Sequence, residues 1–278
     1  MLGLTENVVL SGPRVLSPWR SVALAVWKDV AAASVHAVVE VDAEPILGFL
    51  DRLNARTSVR VTMAHCVGKA LAEVYRQLPD VNCLIRLGRL YRRRDVDIFF
   101  PVALDRQGED MSGAVLRRVD ATPLHVVAEQ LAHEARAVRK DASGGFGSFR
   151  GDGLVGRMVA RTVVRAGGLL LYTLNVWHPA LGVPKDAFGG AAVSDISKFG
   201  ADLAFPPLLP MARLPLVIGI CPVVDTPVWE DGSWRARKTL RLAVVFDHRI
   251  IDGVYAGRIC QLLRDIFARP DAYFSETR

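Results

Sequence analysis

The sequence predicts an α/β sandwich of the α+β kind, a mixed sheet covered by helices, in one domain spanning residues 1–278. Three observations lead there. Amphipathic helical runs and short β-rich runs interleave without a β-α-β-α rhythm, so a doubly wound parallel sheet is not indicated. No internal repeat is visible, which removes solenoids and propellers. Hydrophobic residues make up 51% of the chain and charged residues 23%. That is enough apolar surface to offset the entropy of ordering, so a disordered chain is excluded.

In chain order, Pro18 near a helix entry predicts a helix over 20–33. The run 37–41 is β-rich. Residues 44–54 carry Ile46, Leu47 and Leu50 at helical spacing, and 62–78 carry Met63, Val67, Ala70, Leu71, Val74 and Leu78 before Pro79 stops the helix. The runs 81–84 and 89–92, with Leu87-Gly88 between them, predict a hairpin leading into a strand over 97–104. A short strand is expected over 116–119 and a helix over 123–139, with Leu124, Val127, Leu131 and Ala135 on one face.

The composition breaks at 143–156, SGGFGSFRGDGLVG. A phosphate-cradling loop needs a preceding strand and the G-x-G-x-x-G spacing. Neither is present, so a flexible linker is expected. The apolar stretch 154–177 reads as helical, 191–196, 216–221 and 240–246 as strands, and 254–268 as the last helix, with Ile259, Leu262, Leu263 and Phe267 on one side.

The most apolar stretches, 167–177 and 214–224, fall short of the ~20 residues that span a bilayer. The start, MLGLTENVVLSGPRV, lacks the basic region of a secretory signal. No membrane association is expected. The four cysteines, Cys66, Cys83, Cys221 and Cys260, form no C-x-x-C pair. Free thiols without a signal point to the cytoplasm. The net charge of +6 either solubilises the chain or attracts an anionic substrate. Arg86, Arg89, Arg92, Arg93 and Arg94 read as a solvated face first and a coenzyme A phosphate contact second. With only Tyr91 beside them, nucleic acid is not indicated. His36, His65, His125, His133 and His178 lack metal-ligand spacing, so no metal is expected. Trp19, Trp27, Trp177, Trp229 and Trp234 read as packing or interface residues.

Chemistry concentrates in 244–253, VVFDHRIIDG. An apolar strand runs into a polar turn, and a helix begins after Gly253. His248 sits at the strand end, held rigidly yet able to face a cleft, and its pKa suits a general base. Asp252 can hold the turn by bonding backbone or an arginine. Gly253 can adopt a conformation other residues resist. Alone, H-x-x-x-D-G is a weak pattern, equally compatible with a surface histidine in a turn.

The run FDHRIIDG followed by an amphipathic helix resembles the C-terminal signature of the 2-oxo acid dehydrogenase acyltransferase catalytic domain, which shares its fold with chloramphenicol acetyltransferase. SPWRSVALAVWKDVAAASVHAVVEVDAEPIL resembles the family's entry, LPDVNCLI its P-x-x-N segment, and VSDISKFGADLAFPPLLP its Phe-Gly and proline-rich stretch.

The resemblance implies an acyltransferase with coenzyme A, as acetyl-CoA, for its acyl donor. Residue by residue, it implies His248 as general base and Ser194 as hydroxyl donor to the tetrahedral intermediate. It also implies Asp252 in a structural ion pair with Arg20. Two positions depart from the family pattern: Asp195 where Asn or Ser is common, and Ser197 where Gly is common. A carboxylate beside the oxyanion donor weakens it if it points inward, but alternate strand residues face opposite ways.

The resemblance further implies a homotrimer with the active site between subunits. The sequence shows no lipoyl-type module, so a small-molecule or carrier-bound acceptor, with a hydroxyl as the first choice, is expected and no covalent lipoyl group. Two alternatives stand: a 2-oxo acid dehydrogenase core served by dihydrolipoyl groups on another chain, and a non-catalytic trimeric scaffold. The polar tail after Tyr273 and Phe274, the two residues that could act as a docking knob, argues that assembly stops at a trimer.

Overall fold

The computed structural model describes residues 4–13, 33–104, 111–140, 162–163 and 165–274. Its strands are β1 (Thr5–Glu6), β2 (Leu10–Pro13), β3 (Ser34–Asp42), β4 (Cys83–Arg86), β5 (Arg89–Arg93), β6 (Ile98–Ala103), β7 (Met111–Leu116), β8 (Val176–Trp177), β9 (Ala191–Asp195), β10 (Leu216–Glu230) and β11 (Ser233–Asp247). The helices are α1 (Glu44–Asn54), α2 (Met63–Gln77), α3 (Leu124–Lys140), α4 (Gly253–Ala268) and α5 (Pro270–Phe274).

The main sheet has six strands in the order β3-β11-β10-β9-β6-β7. It is mixed, because β9 runs parallel to both β10 and β6 while the other pairings are antiparallel. Strand side chains alternate between faces. One parity, including Val39, Leu242, Val244, Ile218, Val193 and Ile98, packs against Ile46, Leu71, Val127, Leu263 and Phe267 from the helices. The other parity, Val245, Val217, Ala192 and Phe99, is covered by Tyr172, Phe188, Leu208 and Leu214. This is the predicted mixed sheet covered by helices, and the helices α1, α2, α3 and α4 lie over one of its faces. Two smaller sheets, β1-β8 and β2-β5-β4, flank it.

Local chemistry sets the element ends. α1 begins with proline in its first turn, and Asp42 Oδ1 accepts the Glu44 N–H at 2.9 Å. At the start of α2, the Thr62 N–H donates to His65 Nδ1 at 2.9 Å, half of a capping box. No described helix is long and apolar enough to cross a membrane.

Several expectations need correction. The strand expected at 116–119 ends at Leu116. Arg118 takes φ 49°, its N–H donates to Asp97 Oδ1 at 2.9 Å, and Val119–Ala121 coil into a 3-10 turn. Val81 likewise belongs to the 3-10 turn Pro79–Val81, not to β4. The helix expected to run to 177 stops at Thr173, because Asn175 is left-handed at φ 57° and its side chain bonds both backbone groups of Val8, which brings β8 onto β1. The strands expected over 216–221 and 240–246 continue into a ribbon fifteen residues long on each side. Arg93 is buried rather than solvated. Phe274 is not a free knob. It is 5% exposed and stacks at 5.7 Å on Phe49 of its own core. The helix expected at 20–33, apart from Ala33, and the linker expected at 143–156 lie outside the described residues, as does Arg20.

Candidate active site

β11 carries the chain to Asp247, and the backbone N–H groups from Asp247 to Ile251 are all hydrogen-bonded. The Asp247 N–H donates to Pro215 O at 2.9 Å, and the His248 N–H donates to Ala33 O at 2.9 Å. Asp247 O accepts the N–H groups of Ile250 and Ile251, each at 2.9 Å. Ile250 and Ile251 are buried at 1% and 0% exposure, so they anchor the turn in the core. The half-buried His248 is thereby held at the edge of the sheet, its ring 6.5 Å from that of Phe246 in an edge-on arrangement.

The Asp247 carboxylate takes the Arg249 N–H at 3.0 Å and its guanidinium at 2.6 Å through Nη2, with both side chains almost wholly buried. Sequence reasoning missed this pair. The D-H-R triplet was its signal, because residues two apart flanking a tight turn can reach each other. Burial, and then the charge of Arg249, lower the pKa of the nearby Arg213, whose guanidinium is spent on Ile85 O and Thr173 Oγ1.

Asp252 is the N-cap of α4. Its Oδ1 accepts the Tyr255 N–H at 3.0 Å, and the expected bond to backbone is therefore present. Gly253 is the first helical residue. It lacks a positive φ and has open space around it, so no special conformation requires a glycine there. The Tyr255 hydroxyl reaches Asp80 Oδ2 at 3.0 Å and so ties α4 to the Pro79–Val81 turn of the P-x-x-N segment. Asn82 of that segment packs where a side chain on Gly190 would be, which fixes a glycine at the entry of β9.

Ser194 lies on β9 opposite Gly219 of β10, which in turn faces Ala243 of β11. His248 is five residues further along β11 and two strands across. At ~3.3 Å per residue and ~4.8 Å per strand, the two side chains are on the order of 15–20 Å apart. One chain does not bring Ser194 and His248 together. The Asp195 carboxylate does not crowd Ser194. It turns to the next bend, accepting the Ser197 N–H at 3.2 Å and its hydroxyl at 2.6 Å, with Lys198 at 3.4 Å. The two departures from the family pattern thus satisfy each other. No cluster of three or more metal-ligating side chains occurs among the described residues.

Residues 184–275 match the family of 2-oxoacid dehydrogenases acyltransferase (catalytic domain). The chain is 24% identical over 217 residues to the dihydrolipoyllysine-residue acetyltransferase component of the pyruvate dehydrogenase complex of Azotobacter vinelandii, covering 77% of this chain and 27% of that protein. The chain spans about a quarter or less of the length of the curated relatives it matches. The solved Azotobacter vinelandii dihydrolipoamide acetyltransferase superposes with a TM-score of 0.64 at 23% identity, covering 86% of this chain and 83% of that one. A chloramphenicol acetyltransferase superposes with a TM-score of 0.53 at 11% identity, covering 92% of this chain and 100% of that one. Residues 184–275 thus match the 2-oxoacid dehydrogenase acyltransferase catalytic domain in sequence, and most of the chain shares the fold of a dihydrolipoamide acetyltransferase.

Proposed function

We propose that the chain is an acyltransferase that moves an acetyl group from coenzyme A to the hydroxyl of a small acceptor, with His248 as general base. The observation that carries this is the immobilised turn at 247–252, which presents one half-buried histidine at the sheet edge. His248 takes the acceptor proton, the oxygen attacks the thioester carbonyl, and a tetrahedral oxyanion forms. Its collapse expels the coenzyme A thiolate, which takes the proton back from the imidazolium. The Azotobacter vinelandii structure concerns the role of a serine, a histidine and an asparagine in catalysis, the asparagine four residues after the histidine. His248 and Asp252 have that spacing here.

The distance between Ser194 and His248 supports a site shared between copies of the chain. For Ser194 to donate to an oxyanion formed beside His248, it must come from a second copy. This supports a homotrimer with sites between subunits, as the family resemblance implies. An oxyanion donor of this kind contributes roughly 3 kcal/mol to lowering the barrier.

The test is mass analysis of products after offering acetyl-CoA with hydroxyl acceptors and, separately, with dihydrolipoamide. Acetyl ester formation that falls at least ~100-fold in His248→Ala supports the reading. Wild-type turnover in that variant removes the mechanism. Transfer to dihydrolipoamide alone favours the second reading, a 2-oxo acid dehydrogenase core served by lipoyl groups of another chain, which the 77% coverage by the Azotobacter vinelandii relative supports. Light scattering checks the assembly: a mass near three chains is expected, and a monomer leaves Ser194 without a role.

A further inference from the structure

We propose that the apolar surface formed by Val38, Phe199, Leu203, Phe205 and Leu209 docks a second copy of this chain, on the reading that Ser194 of one copy serves His248 of another.

The surface lies on the sheet face opposite the helices. Ser194, Gly219, Ala243 and Val38 pair in line across β9, β10, β11 and β3, so their side chains share that face. Beyond Ser194 the chain crosses this row. Ile196, the Ala204 carbonyl and Pro206 all crowd the place of a side chain on Gly219, and the Phe205 ring meets His36 of β3 edge-on at 5.2 Å. The small residues in the middle of the row let backbone lie there, and the crossing segment turns its larger side chains outward. Phe199 is 63% exposed, and Leu203, Phe205, Leu209 and Val38 are exposed with it. Leu208 points into the core, which turns Leu209 out. Apolar residues exposed singly need no explanation, but five along one crossing make a contact surface.

The segment is already ordered for docking. Residues 205–210, FPPLLP, hold three prolines. Each fixes its own φ and lacks an N–H, so docking freezes little backbone and strips water from few donors. Lys198 and Asp202, exposed beside Phe199 and Leu203, give the apolar centre a polar border.

The two borders identify the occupant. Ser194 stands at one end of the row and Val38 at the other, about 14 Å apart at ~4.8 Å per strand. On the Val38 side, β3 runs back through His36, the partner of Val245, to Ala33, whose carbonyl accepts the His248 N–H. Each copy thus carries the serine on one border of the surface and the histidine turn beyond the other. A head-to-tail contact here turns the serine of one copy toward the histidine of the next, and such contacts close into a ring when the rotation allows. On the approaching copy, Val254 is exposed two residues past Asp252 and gives the histidine turn an apolar neighbour. An unrelated partner on this surface would cover the row of Ser194 without supplying a histidine.

Sedimentation of the full chain at about 1–100 µM tests it. Wild type should run near three chains. Phe199→Asp and Leu203→Asp each put an unpaired charge into the contact. Each should yield a monomer, with the dissociation constant raised ~100-fold or more. Far-UV circular dichroism should stay unchanged, because both side chains already meet solvent in the single chain. Two variants cover the case in which one fails to fold. Trp229→Ser combined with Trp234→Ser, at the tip of the β10–β11 ribbon, should leave the mass near three chains. A trimer that persists in both folded aspartate variants overturns the surface and leaves the shared site standing. A trimer lost in the tryptophan variant but kept in the aspartate variants overturns it too, by placing the contact on the ribbon. A wild-type chain that stays monomeric at about 100 µM overturns the surface and the shared site together, while the role of His248 as base keeps its own test in His248→Ala.

Discussion

The two ends of the β10–β11 ribbon use the same chemistry in opposite surroundings. At the sheet edge, Phe246, Asp247, Ile250 and Ile251 are all under 5% exposed, and the pair Asp247–Arg249 is sealed among them. Beyond the bulge between Ile220 and Val223, β10 alternates exposed and half-buried residues and β11 is exposed from Ser233 to Ala236, the arm ending in Trp229 and Trp234 at 60% and 70% exposure. This arm carries its own pairs, Asp225–Lys238 and Glu230–Arg237, in the open. Opposite charges in water gain little, because solvent already screens them and two long side chains must be ordered to meet. Inside, neither charge can return to water, so removing one strands the other. The buried end should therefore fix the position of His248, and the exposed end should tolerate change.

The sharpest break of that contrast is Asp247→Ala. It leaves Arg249 buried and uncompensated, a loss of ~3–5 kcal/mol. Chemical denaturation measures it, and activity should fall with it because the turn holding His248 loosens. A loss under ~1 kcal/mol would place the pair with the surface ones.

A second buried polar group extends the comparison through pH. Burial lowers the pKa of His65 from 6.5 to about 4, and its Nδ1 accepts the Thr62 N–H, a role protonation abolishes. Below pH 6.5 the unfolded chain binds a proton that the folded chain refuses. Stability should thus be full above 6.5 and decline as pH falls to about 4, by about 3 kcal/mol in all. His65→Gln, which keeps an acceptor and does not titrate, should flatten that limb of the denaturation profile. An unchanged slope would show the titrating group to be another.

Asp252 ranks next. As an N-cap it contributes roughly 0.5–2 kcal/mol, the expected cost of Asp252→Ala. The ion pair with Arg20 that the resemblance implies would add to this. A double-mutant cycle with Arg20→Ala reads the excess directly: a coupling near zero leaves the cap alone, and a coupling of ~1 kcal/mol or more supports the pair.

The regions also differ in how legible they were. The helix over 44–54 was readable to the residue, because Ile46, Leu47 and Leu50 mark one face and Pro45 marks its start. The turn carrying His248 was readable because an apolar strand ends abruptly in charged residues. The arm was not. Pro222 and Pro227 demote a strand in sequence, yet Pro222 sits in the bulge, where a missing N–H costs no ladder bond. The signal that would have found the arm was Asp231-Gly232, both at positive φ (51° and 77°), the dipeptide that closes two-residue hairpins. Arg93 was misread because one arginine among five looks like part of a charged face, and only the fold shows which of them turns inward. The separation of Ser194 from His248 depends on strand order, and no local pattern encodes that.

The smallest expected effect lies in the arm. Asp225 and Lys238 are direct cross-strand partners, with Nζ 3.3 Å from Oδ1 and side chains 66% and 51% exposed. Their coupling in a double-mutant cycle should be ~0.2–1 kcal/mol. It should vanish in 1 M salt, where screening acts within about 3 Å. The coupling of Asp247 with Arg249 should survive the same salt, since ions do not enter a sealed pair. The arm pair also reports on assembly. If the ribbon packs against a second copy, burial there would strengthen the coupling and make it depend on protein concentration. A coupling that stays small and salt-sensitive at every concentration means that the arm remains in solvent, and that contacts between copies, if they complete the site at His248, are made elsewhere on the sheet.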